Sequence, residues 1–519
     1  MKLSITVEKK LYNSPFVRFC IKWIPRIWLY VLSALVLIAN FSLIFDNVLW
    51  GDEAFAANLI RNGDVAGIFQ VLNAYENHPP LYYLWLKLFA EIFGYETWVY
   101  HLASFVPFAI GIIMALTLFK KHFGALPTAF YIILSGLSMP AVTYNQEVRM
   151  YELAFIGVMG AVYCMYRVLD ADKLISWAGL VFFSLVAAYS HYYALVAVGG
   201  MLFVNIFAVQ LKNKKKSFLK GIAALASFVL LYLPWLKRLL ESTGEVAGNW
   251  WMDAIEPVGN SLRMTGCGDR MSRLVWLLAI LVYLLVGVMD IAGEISYEEE
   301  RVLISFKYPE FKRISAAFAA MTTGFATIAG TLIFAYGMSY IVRPLVSVRY
   351  FYALTAVMML ILVIGYGELL HRADTMDCPV KLKKNIGIAV RVFIVLMLLI
   401  LFKRGIADYR EFRAVCRQED AATKATLEII GDADENVTFL NYQVTHIGWT
   451  VLEYYYPEAN IENGHYRSAE GDLVWYFTNN ELTFDEWDEI SSMGYDIYNY
   501  EVQQLAKYPF RLYRFTRQE

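Results

Sequence analysis

Two adjacent carboxylates, Asp52 and Glu53, follow the first long apolar run of this 519-residue chain. Charge placed beside a membrane span is costly and needs a reason. Two carboxylates this close raise the pKa of one of them, which suits a proton acceptor. Further polar groups fall in four short motifs: Glu76-Asn77-His78-Pro79-Pro80-Leu81-Tyr82-Tyr83, Gln146-Glu147-Val148-Arg149-Met150-Tyr151, Tyr189-Ser190-His191-Tyr192-Tyr193 and Val348-Arg349-Tyr350. They supply His78, Glu147, Arg149, Tyr151, His191, Arg349 and Tyr350 as candidates for binding. Arginine offers a planar fork that matches phosphate oxygens. Imidazole changes its charge near neutral pH.

Each group also has a plainer reading. Asp52 could cap a helix N-terminus. His78 precedes Pro79-Pro80, where a turn could start a helix. Glu147 and Arg149 could form a structural ion pair. His191 could sit among interfacial tyrosines, and Arg349 could snorkel toward a membrane surface. Asp, Glu and His gathered in this way are compatible with a divalent metal, but no ligand spacing requires one.

The elements that must position these groups are membrane helices. The chain is 58% hydrophobic and 18% charged, which places it outside the soluble class. Apolar runs of about 20 residues recur along it, the length that spans a bilayer. The runs lie at 27–46, 98–119, 125–143, 150–169, 174–189, 192–211, 218–236, 272–291, 314–337, 350–369 and 386–402, about eleven spans. Lys2, Lys9, Lys10, Arg18, Lys22 and Arg26 precede the first, which reads as a retained anchor with its basic side in the cytoplasm. Lys120-Lys121, Lys173, Lys212 with Lys214-Lys215-Lys216, Lys307 with Lys312-Arg313, and Lys381 with Lys383-Lys384 then fall on that same side. Lys403-Arg404 fall on the other. This threading holds only if 80–93 is not a span. Lys87 and Glu91 are four apart on one helical face, so the segment reads as a surface helix, with a second one from Asp52 to about Asn62. Every motif above then lands on the outer side of a plasma membrane, with the N-terminus cytoplasmic.

From about Asp408 the composition turns polar and β-rich. Strands are expected at 437–442, 473–477 and 510–515, and helices at 422–430 and 485–493. The domain organisation read from this is a basic N-terminus (1–26), a membrane domain (27–402) and an extracytoplasmic α/β domain (403–519). Net charge is −2, which gives no electrostatic case for nucleic acid. Five scattered cysteines form no paired spacing.

The ordered set of motifs resembles the GT-C glycosyltransferases of the family-39 type, which include protein O-mannosyltransferases, aminoarabinose transferases of lipid A and RgtA/B/C/D-like transferases. The resemblance rests on the Asp-Glu pair, HPPLYY, QEVRMYEL, the Y-x-HYY turn and the late Arg-Tyr pair, over roughly the first 370 residues. It implies an all-α polytopic GT-C catalytic domain over 27–402 and an inverting transfer of a sugar. The donor is a polyprenyl-phosphate-linked sugar; the acceptor is a glycan, lipid or protein on the outer face. It implies Asp52 as catalytic base with Glu53 in support, and Arg349 on the lipid-linked phosphate. His78, His191 and Tyr350 become hydrogen-bond partners of phosphate or acceptor. The chain departs from the aminoarabinose transferases at Asn77-His78, where those carry Glu-Lys; imidazole here replaces a lysine contact. Two rival readings remain at this level. A flippase for lipid-linked sugars would need no base, and a sensor would use the outer domain alone.

Overall fold

The computed structural model describes residues 15–74, 76–212, 215–248, 252–298, 301–306, 314–376, 379–444 and 450–518. Lys2, Lys9, Lys10, Lys214, Lys307, Lys312 and Arg313, used above to thread the chain, lie outside these. Among the described residues, eight helices are long and apolar enough to cross a membrane: Arg26–Leu43, Thr97–Phe123, Tyr151–Ala171, Ser217–Gly244, Ser272–Asp290, Ala316–Ile341, Val348–Thr375 and Val380–Ile430. Shorter apolar helices at Ala125–Leu137, Leu174–Ser190 and Tyr192–Ala208 fall where three further spans are expected.

Burial sorts the spans. Tyr151–Ala171 and Val348–Thr375 have 89% of their most apolar stretch inside the protein, against 28% for Arg26–Leu43 and Ser217–Gly244. The first two are therefore central and the last two peripheral. Outward rows such as Ile38, Leu230 and Ile333 remain exposed; an aqueous surface would not tolerate so much apolar area, and lipid does. Close helix approach relies on small residues. A Cβ at Gly157 would stand 2.6 Å from the Ala187 backbone nitrogen, so Tyr151–Ala171 and Leu174–Ser190 touch nearly backbone to backbone.

The two expected surface helices appear as Gly51–Asn62 and Leu81–Phe93, and Lys87 and Glu91 close an ion pair at 2.9 Å. A third helix, Val65–Ala74, lies between them and was not foreseen. The helix of the last expected span does not stop near residue 402. Val380–Ile430 is one helix of 51 residues that carries the chain out of the apolar bundle and into the C-terminal region, so the expected 422–430 helix is its final stretch.

That region holds a five-stranded sheet. Its strands in chain order are β1 (Val437–Tyr442), β2 (Asn460–Asn463), β3 (Leu473–Thr478), β4 (Tyr495–Leu505) and β5 (Tyr508–Arg517), with spatial order β2-β1-β3-β5-β4. The strands β2, β1 and β3 are parallel, and β5 is antiparallel to both β3 and β4. Strand side chains alternate between faces. Phe439, Trp475, Phe477 and Leu512 join the core shared with the membrane helices. Leu440, Val474, Tyr476 and Phe515 form a second core with Ile490 of the helix Phe484–Ser492. The sheet is thus docked on the bundle by one face.

Candidate active site

Both central helices begin at the same end of the bundle, and each brings an arginine there. Arg149 stands two residues before Tyr151, and Arg349 lies in the single turn Val348–Phe351 that opens the second helix. The surface helix Gly51–Asn62 crosses the same end and presents Asp52. Arg349 Nη1 donates to Asp52 Oδ2 at 3.0 Å. The two side chains are 24% and 28% exposed, so the pair can be reached from outside the protein.

Asp52 is not the helix cap. Trp50 holds that position, and the adjacent carboxylate, Glu53, accepts the Trp50 N–H at 3.1 Å. Its other oxygen accepts the Val148 N–H at 2.7 Å, which ties the start of the surface helix to the loop before Tyr151. Glu53 is buried and spends both oxygens on backbone, whereas Asp52 points at a guanidinium. The two adjacent acids therefore occupy different environments. Burial raises the Glu53 carboxyl above the ordinary range; Lys507 and the two backbone donors oppose it. Glu147 is raised by the same cause, with Lys507 again the leading opposing charge.

Arg149 does not close the expected ion pair with Glu147. Its Nη1 reaches the Asp52 carbonyl at 3.4 Å and Tyr83 Oη at 3.3 Å, and its Nη2 lies 3.4 Å from His78 Nδ1. The two side chains leave the loop in different directions, so two residues of separation do not bring them together. His78 Nδ1 pairs with Glu76. Burial alone would raise the Glu76 carboxyl, but the charge and hydrogen bond of His78 outweigh it and hold the group at about 2. With Nδ1 engaged, Nε2 is the nitrogen left for a ligand.

The His78 ring centroid lies 5.9 Å from that of His191. His191 lies 5.7 Å from Tyr151 and 5.2 Å from Tyr350 in turn. Desolvation first, then the neighbouring His78, Arg149 and Arg349, hold His191 well below its ordinary value, so it is neutral. All nine residues singled out in the sequence, Asp52, Glu53, His78, Glu147, Arg149, Tyr151, His191, Arg349 and Tyr350, thus meet at one end of the bundle.

Two cavities flank the Val348–Phe351 turn. Tyr350 lines one of about 150 Å³, together with His78, His191, Tyr193 and apolar Leu345 and Met338. Val348 lines another of about 690 Å³, with Tyr144, Asn260, Arg263, Arg270 and Asp408. Arg349 thus sits in the turn between a residue that lines a largely apolar, imidazole-bearing cavity and one that lines a more polar cavity.

Residues 77–237 match the family model described as dolichyl-phosphate-mannose-protein mannosyltransferase. That stretch contains His78, Glu147, Arg149, Tyr151 and His191. The fold matches the crystal structure of ArnT from Cupriavidus metallidurans in the apo state, with a TM-score of 0.58, 12% identity, and coverage of 94% of this chain and 97% of that one. It also matches the same protein bound to undecaprenyl phosphate, with a TM-score of 0.56, 13% identity, and coverage of 94% and 98%. The chain has the ArnT-like GT-C fold. No curated protein sequence matches it.

Several residues of this site carried no role in the sequence reading. Glu76 and Tyr83 lie inside the quoted motif, but nothing in their spacing says that they hold His78 and Arg149. The loop before Tyr151 hangs on a buried polar network. Asn145 Nδ2 donates to Asn40 Oδ1 at 3.1 Å and to the Ser135 carbonyl at 2.9 Å, and Asn47 Nδ2 donates to Gln146 Oε1 at 3.0 Å. Buried amides and carbonyls in a membrane domain need such partners. Among the described residues, no group of three or more His, Cys, Asp and Glu side chains gathers to hold a metal.

Proposed function

We propose that the protein transfers a sugar from a polyprenyl-phosphate carrier to an acceptor hydroxyl on the outer face of the plasma membrane, with inversion. The observation that carries this is the part-exposed Asp52–Arg349 pair at 3.0 Å, with the neighbours of Arg349 in its turn, Val348 and Tyr350, lining two unlike cavities. Asp52 takes the proton of the acceptor hydroxyl. The freed oxygen attacks the anomeric carbon from the face opposite the phosphate. The C–O bond to the phosphate breaks, and its electron pair leaves with the carrier phosphate. Arg349, with Arg149 and His78 beside it, neutralises the charge that collects there. A phosphate at Arg349 competes with Asp52 for the same guanidinium, so donor binding would release the carboxylate to act as base.

The cavity with His78, His191 and Tyr350 suits the lipid-linked phosphate, because apolar walls adjoin donors. The polar cavity beyond Val348 suits a hydroxyl-rich acceptor, because guanidinium, amide and carboxylate groups line it. The ArnT relative holds undecaprenyl phosphate, which supports the same class of carrier for this chain. The outer-side assignment is supported by Lys120, Lys121 and Lys173, which lie at helix ends away from Asp52.

Purified protein in nanodiscs, given a panel of undecaprenyl-phosphate sugars and envelope glycan acceptors, is expected to yield a product of opposite anomeric configuration by NMR. Retained configuration would exclude the single-displacement mechanism. Cysteines placed at Asp64 and Lys173 should label from opposite sides of intact cells; labelling from one side would remove the outer-face assignment.

A further inference from the structure

The helix that carries Asp52 is gripped at both ends by the C-terminal strand region. At its start, Tyr508 Oη accepts the Gly51 N–H at 3.2 Å. That N–H is one of those a helix N-terminus leaves without an internal partner. Lys507, exposed at the β4–β5 turn, sets its ammonium 4.9 Å from the centroid of the Trp50 ring. The Arg349 guanidinium carbon lies 5.6 Å from the same ring. Toward the far end of the helix, Asn58 Nδ2 donates to the Thr450 carbonyl at 3.0 Å. Arg61 donates to the carbonyls of Tyr454 and Glu453, each at 3.1 Å. The turn is itself fixed to the long helix. The Ala506 N–H donates to Thr423 Oγ1 at 2.8 Å, and Thr426 Oγ1 donates to the Gln504 carbonyl at 2.9 Å. A region that merely covered the site would not need to hold the one helix that presents Asp52.

We propose that the C-terminal region is a working part of the catalytic centre: Tyr508 fixes the start of the Asp52 helix, and Lys507 holds a cation beside the buried carboxylates Glu53 and Glu147. The inference rests on the reading of Asp52 as proton acceptor. Lys507 and Tyr508 are positioning residues; neither takes the proton. Among the charges around the two buried acids, Lys507 opposes burial most strongly for both. The other ionisable groups that face them are Asp52, Arg149, Arg349 and the phenols of Tyr82, Tyr144, Tyr151, Tyr455 and Tyr508. Glu419 and Cys416 of the long helix feel Lys507 as well. A cluster with three acids at its base, Asp52, Glu53 and Glu147, therefore draws its third cation from the far end of the chain.

The test uses the full-length protein with Lys507→Met, Lys507→Arg, Tyr508→Phe and Asp52→Asn. Carboxyl titration is followed by difference infrared spectroscopy. Product is measured by mass spectrometry of envelope glycans from a complemented deletion strain, and binding of undecaprenyl phosphate reports that each variant is folded. Lys507→Met is expected to move the buried carboxyl titration upward by about one pH unit, because a favourable charge is lost. Product should fall tenfold or more at equal protein level, and Lys507→Arg should restore both. Tyr508→Phe should lower product and leave the titration in place. A Lys507→Met protein with wild-type titration and product, beside an inactive Asp52→Asn, overturns the inference alone. Full product from Asp52→Asn overturns the reading beneath it and takes the inference with it, whatever Lys507 does to the titration.

Discussion

Arg349 and Asp52 meet at 3.0 Å although 297 residues separate them in the chain. The contact joins the start of a central helix to a surface helix, and each partner remains about a quarter exposed. The turn that carries Arg349 also carries Val348 and Tyr350, each of which lines a cavity. Asp52→Asn keeps the shape of the side chain and removes the basic oxygen. Turnover is expected to fall by about 10²–10⁴, the range for loss of a general base, while undecaprenyl phosphate still binds. Wild-type turnover in a folded Asp52→Asn protein would end the assignment.

Arg349→Ala removes the guanidinium that faces Asp52. One charge-assisted hydrogen bond contributes about 1.5–3 kcal/mol, so the affinity for undecaprenyl phosphate should weaken about 10- to 100-fold. Arg349→Lys should recover only part of it, since an ammonium cannot reproduce the planar fork. Titration of undecaprenyl phosphate into the detergent-solubilised variants checks both. An unchanged affinity in Arg349→Ala would place the phosphate elsewhere.

The acids at the site give stability opposite dependences on pH. Glu76 is held at about 2 in the fold, below an unfolded carboxylate. Its contribution is present above the ordinary carboxylate pKa and is lost as pH falls toward 2. His78→Gln removes its partner and should lower stability at neutral pH by about 1.5–3 kcal/mol, with less further loss on acidification. Glu53 and Glu147 are raised instead. Their burial is tolerated best below the ordinary carboxylate range, and stability is lost as pH rises through their raised values. Thermal melts across about pH 2–8 separate the two. The double variant Glu53→Gln, Glu147→Gln should flatten the high-pH side, and His78→Gln the low-pH side; unaltered slopes would contradict these charge states.

Membrane helices and surface helices were legible because burial in lipid or at its boundary imposes a period on the sequence. Lys87 and Glu91, four residues apart, announce a half-wet helix and do pair at 2.9 Å. The groups of the site were legible as charges in places where charge is costly. Their partners were not. Gly51 and Tyr508 are bonded across 457 residues, and no local pattern encodes such a contact. Short spacing also misled: Glu147 and Arg149 look like a pair, yet Arg149 turns to Asp52, Tyr83 and His78. The fall in apolar content after residue 402 reads as a domain boundary, but the helix runs through it. Gly405 within that helix is a packing residue: a Cβ there would stand 2.7 Å from the Leu137 Cβ.

The close approach of Tyr151–Ala171 to Leu174–Ser190 makes its own prediction. A Cβ at Gly157 would meet the backbone of Ala187 at 2.6 Å and 2.8 Å, atoms that no rotamer change can move. Tyr151–Ala171 would have to tilt away from Leu174–Ser190, and its first turn carries Tyr151 against His191. Gly157→Ala should therefore cost about 1–3 kcal/mol through overpacking and lower the melting midpoint of the solubilised protein by several degrees. Gly199 offers the control, since nothing stands within 4 Å of a Cβ built there. Gly199→Ala adds the same methyl to a helix of similar length and should be neutral or slightly stabilising, because alanine favours the helix over glycine by about 1 kcal/mol. Equal melting behaviour in the two variants would mean that the approach at Ala187 is looser than 2.6 Å implies.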